Sequence, residues 1–142
     1  MASSIMHLAV ANEISKVYRP NAGRFNLGNL LPDILAKNKS DKNNTHFRIE
    51  KEPYEFSTAS YYQYYDYHKF IEQYKTQLDD DLYLGYLSHI ITDEIWIQRV
   101  YIKYMRDEKR RKRVELQKNY YHDYDILNEL IIKKYVTIQS QL

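Results

Sequence analysis

The chain has 142 residues, 44% hydrophobic and 15% aromatic, which suits one packed core and argues against disorder. Lys and Arg number 21 against 19 Asp and Glu, a net charge of +2, so no broad field points to nucleic acid or a membrane surface. Cysteine is absent, which excludes disulfides and thiolate metal sites, and no apolar run of about 18 residues is present to span a membrane.

Only three Gly and three Pro occur, all before residue 86. Few breakers and few alternating runs predict an all-α fold, a single-domain helical bundle over residues 1–142 with a long central helix. The first segment, MASSIMHLAVANEISK, lacks a basic start and soon turns polar, so it does not read as a secretion signal, and a cytoplasmic protein is expected. Ser3 or Ser4 can cap a first helix there. Met6, Val10, Ile14 and Val17 give that helix an apolar face, with His7 at its edge, and Pro20 to Gly23 ends it.

The stretch FNLGNLLPDILAK, Phe25 to Lys37, reads as a buried loop leading into a short helix, with Pro32 in its first turn and Asp33 next. Lys37 to Asn44 reads as a polar loop, and Thr45, His46 and Phe47 start a further short element. Thr58 to Gln77 is expected to be helical and carries YYQYYDYHKF. One of Asp79, Asp80 and Asp81 caps the next helix. That helix is expected from Leu82 to Met105, about 35 Å long and apolar nearly all round, hence central. One or two last helices cover Val114 to Gln139.

The central helix contains HIITD, and the four-residue step puts His89 and Asp93 on one face. Buried in an apolar helix, the two must be satisfied, either by a metal ion or by a hydrogen bond or ion pair with each other. His7, Asp33 and His46 each have an ordinary reading too: a half-buried polar residue, a first-turn cap and a loop residue. Their order along the chain changes the weighing.

MHLAVANEI at His7, GNLLPD ending at Asp33, TH at His46 and LGYLSHIITDEIW with His89 and Asp93 together resemble the zinc-dependent phospholipase C family. The all-helical fold of that family is shared with the S1/P1 nucleases. The resemblance covers roughly residues 1 to 100. It implies that Asp33, His46, His89 and Asp93 hold one metal, and that Asp93 bridges to a second metal bound by His7. The implied cofactors are one or two divalent ions, zinc foremost; the donor set also suits iron, manganese or nickel.

The pattern departs from the family in two places. The secreted enzymes use a mature N-terminal Trp as a ligand, where this chain reads Met-Ala-Ser. They also carry a further His after the helix motif and then a His-x-x-x-Glu pair, whereas His122 here is followed four residues later by Ile126. A third metal position is therefore absent or rebuilt. In YYHDYDILNEL, helical spacing lets His122, Asp125 and Glu129 share a face, with Asp125 and His122 as candidate extra ligands. The alternative is a solvated, charged helix start.

Two other features have bland and sharp readings. Tyr61, Tyr62, Tyr64, Tyr65 and Tyr67 are packing residues with wet hydroxyls, or a wall for a nucleobase or organic leaving group. The run Arg106 to Arg113 is a solvated helix end, or a contact for phosphate, nucleic acid or a membrane surface. His68 is expected at the surface.

The function expected from these readings is metal-dependent hydrolysis of a phosphate ester, diester or monoester, by a metal-activated water. Asp33 is the candidate catalytic base where it is not a ligand. The substrate is then a small-molecule phosphate ester or a lipid headgroup, with no membrane insertion, no nucleic acid and an open oligomeric state. The competing reading is a non-enzymatic helical module with a structural metal or none.

Overall fold

The computed structural model describes residues 1–51, 62–101, 103 and 110–139. It is all-α, with six α-helices and one small hairpin among the described residues. Helix α1 spans Ser4–Tyr18, and Ser3 caps it by accepting from the Met6 N–H at 3.1 Å. Its buried face is formed by His7, Ala9 and Ala11, not by the larger apolar residues, and Val17 is 88% exposed. Small residues there let α1 lie close to its neighbours, which draws His7 fully inside.

Helix α2 spans Ala22–Leu35, so the expected buried loop is helix, and Pro32 lies in its interior instead of its first turn. Asn21 caps it by accepting from the Arg24 N–H. The missing Pro32 N–H falls opposite the carbonyl of Gly28, a residue that lies close against the α5 backbone at Leu82 and Gly85. Helix α3, Lys39–Thr45, replaces the expected polar loop and is capped by Asn38.

Strands β1, Arg48–Lys51, and β2, Tyr62–Tyr65, form an antiparallel pair in which Arg48 lies opposite Tyr65 and Ile49 opposite Tyr64. The tyrosine run is thus partly strand, where helix was expected. Aromatic residues favour a pleated, half-buried surface, and this tertiary setting overrides the helical reading. The start of that expected helix, 58–61, lies outside the described residues.

Helix α4, Tyr67–Gln73, follows, then a 3-10 turn at Lys75–Gln77. Helix α5 spans Asp81–Trp96, capped by Asp80 as expected of that acidic cluster. It ends earlier than expected: Ile97–Tyr101 is a π turn, and 104–109 lie outside the described residues. Helix α6, Arg110–Gln139, is a single long helix.

Helices α2 and α5 make the most extensive contact among the described residues. They cross at Gly28 and Gly85. A methyl group on Gly28 would collide with the Leu82 carbonyl, and one on Gly85 with the Phe25 carbonyl. Only glycine permits backbones so close. Ion pairing of Arg24 with Asp80, and Asp81 accepting from the Asn21 N–H at 2.7 Å, fix the same crossing from its outer end. The main apolar cluster, Tyr65, Phe70, Ile90 and Ile97, sits between α4, α5 and the hairpin.

Candidate metal centre

Five side chains predicted from the sequence converge where α1, α2, the end of α3 and α5 meet. His7, His46, His89 and Asp93 are fully buried, and Asp33 is 26% exposed at the side chain. His89 and Asp93 sit one turn apart on α5, with Nε2 and Oδ2 3.6 Å apart. His7 Nε2 from α1 stands 3.3 Å from Asp93 Oδ1. His46 Nε2 stands 3.3 Å from Asp33 Oδ1 and 3.9 Å from Asp93 Oδ2. The His7 and His89 rings stack with centroids 3.6 Å apart, and His46 meets His89 edge-on. Two overlapping groups, His7 with Asp33 and His89, and His46 with His89 and Asp93, each have ligand atoms within 4.8 Å of one another.

Local structure explains how each group arrives. The glycine crossing brings α2 against α5, so His89 Nδ1–H donates to the Asn29 carbonyl at 2.7 Å. That bond fixes the tautomer and turns Nε2, a bare acceptor, toward the cluster. His46 ends α3. Phe47 after it has φ of 53°, left-handed and unusual for a bulky residue, and this turn swings the chain from α3 into β1. Packing of the Phe47 ring on Phe70 and Tyr74, at 5.3 and 6.3 Å, holds that strained residue in place. Thr45 Oγ1 lies 2.8 Å from His46 Nδ1 and Asp33 Oδ1 lies 3.3 Å from Nε2, so partners on both sides set the direction of the ring.

The carboxylates are oriented in the same way. Asp93 Oδ1 accepts from the Ala2 N–H at 2.7 Å, and Asp33 Oδ2 accepts from the Ser4 hydroxyl at 3.0 Å. Ala2 and Ser4, at the entry to α1, thus hold one oxygen of each acid; Asp93 Oδ1 also faces His7, while Asp93 Oδ2 and Asp33 Oδ1 face His89 and His46.

The electrostatics follow from burial among opposite groups. Burial pushes the Asp33 carboxyl up, but His46, His89 and Ser4 outweigh it and bring the pKa down to about 2. Burial acts on Asp93 in the same sense and is overcome by His7 and His89, leaving it well below the usual carboxylate range. Burial pushes His7 and His46 down despite their nearby acids, so these rings are neutral at pH 7. Neutral imidazoles and ionised carboxylates are the forms that ligate metals.

Hydrogen bonding within the cluster is incomplete. Both ring nitrogens of His7, His89 Nε2 and Asp93 Oδ2 are buried with no hydrogen-bond partner. His7 Nε2 is near Asp93 but outside hydrogen-bond geometry. Buried polar atoms are nearly always satisfied, so four orphans on one cluster call for a ligand. A neutral His7 ring keeps a proton on one nitrogen and a lone pair on the other; that lone pair, His89 Nε2 and Asp93 Oδ2 come from two helices without a donor to meet them, and a divalent cation fits them. With His46 and Asp33 the donor set is all nitrogen and oxygen, which zinc, iron, manganese and nickel accept.

Two expected ligands are elsewhere. His122 and Asp125 are exposed on α6 and belong to neither metal-binding group among the described residues. Helix α6 approaches the core through other residues: Ser3 Oγ donates to Asn128, and Tyr120 and Tyr124 pack on Trp96. Its polar face, carrying His122 and Asp125, turns to solvent. Of the tyrosine patch, Tyr65 is buried with its ring 6.2 Å from that of His46, whereas Tyr64 and Tyr67 are half-buried and Tyr61 lies outside the described residues. His68 is exposed, as expected.

Sequence reading missed the Asn29 carbonyl, Thr45, Ser4 and the Ala2 N–H. The only available signal was proximity to the motifs, since a backbone carbonyl carries no residue code. It also missed Glu94, 5% exposed beside Asp93, which accepts from the Tyr65 N–H at 2.8 Å and ties β2 to α5. Comparison with known proteins gives no match: no family model fits the chain, and no curated protein or solved structure is significantly similar.

Proposed function

We propose that this chain is a metal-dependent hydrolase of phosphate esters, built on the cluster of His7, Asp33, His46, His89 and Asp93. The observation that carries the reading is the pairing of His89 Nδ1–H with the Asn29 carbonyl while Nε2 and Asp93 Oδ2 stay buried and unpartnered. A ring held from behind in this way is the outer arrangement typical of metal-ligating histidines. Asp93 lies between His7 on one side and His46 and His89 on the other, which supports its reading as a ligand of this centre.

A divalent ion, zinc foremost, would supply Lewis acidity and lower the pKa of water toward about 7. The chain's own contribution is to present neutral imidazoles, keep both carboxylates ionised and exclude bulk water on the protein side. Asp33 differs from Asp93 in being partly exposed, so it can face a substrate. It is a ligand first in this reading. At a pKa of about 2 it is a weak base on its own account.

The substrate class rests on the ordered resemblance to zinc-dependent phospholipases C and on the chemistry of the site. A small phosphate ester or lipid headgroup is the proposed substrate, and no helix among the described residues is long and apolar enough to cross a membrane. The rival reading, a helical module with a structural metal or none, has one observation in its favour: His46 is hydrogen-bonded to Asp33 at 3.3 Å, and His7 lies 3.3 Å from Asp93, without any ion.

The purified chain, loaded with zinc, manganese or iron, is assayed on chromogenic phosphodiesters and monoesters. Metal-dependent turnover that disappears in Asp93→Asn supports the hydrolase. Stoichiometric metal without turnover on any ester supports the structural role.

A further inference from the structure

Arg48 lies on the hairpin's inner face. It stands two residues after His46 on β1 and directly opposite Tyr65 on β2. Residues opposite each other across an antiparallel pair project from the same face. Tyr65 is 2% exposed with its ring 6.2 Å from that of His46, so that face looks onto the candidate metal centre.

The side chain is half-buried, and its Nε is fully buried with no hydrogen-bond partner. No carboxylate of the described residues lies within 4.0 Å as an ion pair. This contrasts with Arg24, whose Nε and Nη2 both reach Asp80. A guanidinium keeps its charge in any environment and offers planar, forked donors that match phosphate oxygens. Leaving its inner N–H unsatisfied is unfavourable unless an acceptor arrives from outside.

We infer that Arg48 is the oxyanion-recognising residue of this site, taking a non-bridging oxygen of a phosphate group placed against the His and Asp cluster. The inference rests on the proposed metal centre for its second point of attachment. Arg48 binds the anion and the cluster holds the metal, so the two roles separate experimentally.

The full chain is loaded with zinc, and inorganic phosphate binding is followed by calorimetry in wild type, Arg48→Met, Arg48→Lys and the exposed control Lys69→Met. Metal content and thermal melting are recorded for each. Arg48→Met is expected to lose about 10-fold or more in phosphate affinity at unchanged metal content, the size of a hydrogen bond to a charged group. Arg48→Lys, which keeps the charge and loses the fork, is expected to fall between it and wild type, and Lys69→Met to match wild type.

Wild-type affinity in both Arg48 variants overturns the assignment while leaving the metal centre standing. If Arg48→Met does not fold, Arg48→Lys decides: reduced affinity with full metal supports the role, and unchanged affinity removes it. A wild-type protein that takes up no metal but binds phosphate through Arg48 sinks the metal reading alone. One that binds no phosphate at all overturns the Arg48 assignment.

Discussion

Two His–Asp pairs lie one helical turn apart in this chain, His89 with Asp93 on α5 and His122 with Asp125 on α6. By spacing alone they are near equals. The first is fully buried with two orphaned lone-pair donors, and the second is exposed. What separates them is the surface that each helix meets. Helix α5 meets α2 at a double-glycine crossing that brings a backbone carbonyl to His89 and seals it from water. Helix α6 meets the core through aromatic and small polar side chains whose hydrogen bonds close on one another, Trp96 to Tyr120 and Tyr120 to Tyr124. Spacing nominates a metal site; burial without internal satisfaction selects it.

The sharpest way to break the comparison is at Asp93. Asp93→Asn keeps the shape and removes the shared charge. Metal affinity should fall by more than about 100-fold, beyond the range for outer-shell partners, as read by competition with a chromogenic chelator. Equal loss in Asp125→Asn would erase the distinction between the two pairs.

The helix crossing comes next. Gly85→Ala should destabilise the fold by about 3 kcal/mol, the upper end for overpacking, because the added methyl meets backbone and not a mobile side chain. Urea unfolding checks this, and metal affinity should drop with it as His89 loses the Asn29 carbonyl. Wild-type stability would show that the close approach is dispensable.

Acidification sharpens the contrast further. Burial lowers the pKa of His7 and His46 from 6.5 in the folded chain, so the unfolded chain binds more protons below that value. Stability of the metal-free protein is thus fully present above pH 6.5 and declines as pH falls below it, by at most about 1.4 kcal/mol per pH unit for each ring. Metal should leave over the same range, because the protonated rings no longer offer lone pairs. Melting curves and metal content between pH 7.5 and 5 test both together; flat profiles would contradict the burial argument. The smallest effect belongs to α6: His122→Ala and Asp125→Ala should each change stability by no more than about 0.5 kcal/mol and leave metal content unchanged.

Much of the site was legible before the fold. His7, Asp33, His46, His89 and Asp93 were singled out by order and chemistry, and the structure gathers all five. Helix existence was legible from the scarcity of breakers, but several boundaries were not. Pro32 suggested a helix start because a proline is costly in a helix interior, yet α2 runs through it where the Gly28 approach already shapes the backbone. The stretch 62–65 hid a strand because its residues are nearly all aromatic, so no polar alternation marks the exposed face. His122 and Asp125 were misassigned because helical spacing is a local property, while burial depends on which face a helix turns to the rest of the chain.

The most direct test is elemental analysis of the purified full chain, compared with its Asp93→Asn and Asp125→Asn variants after identical zinc loading and removal of loose metal. Stoichiometric zinc in wild type and Asp125→Asn, with little in Asp93→Asn, is the expected result. Equal metal in all three, or none in the wild type, would contradict a centre built on the α5 pair.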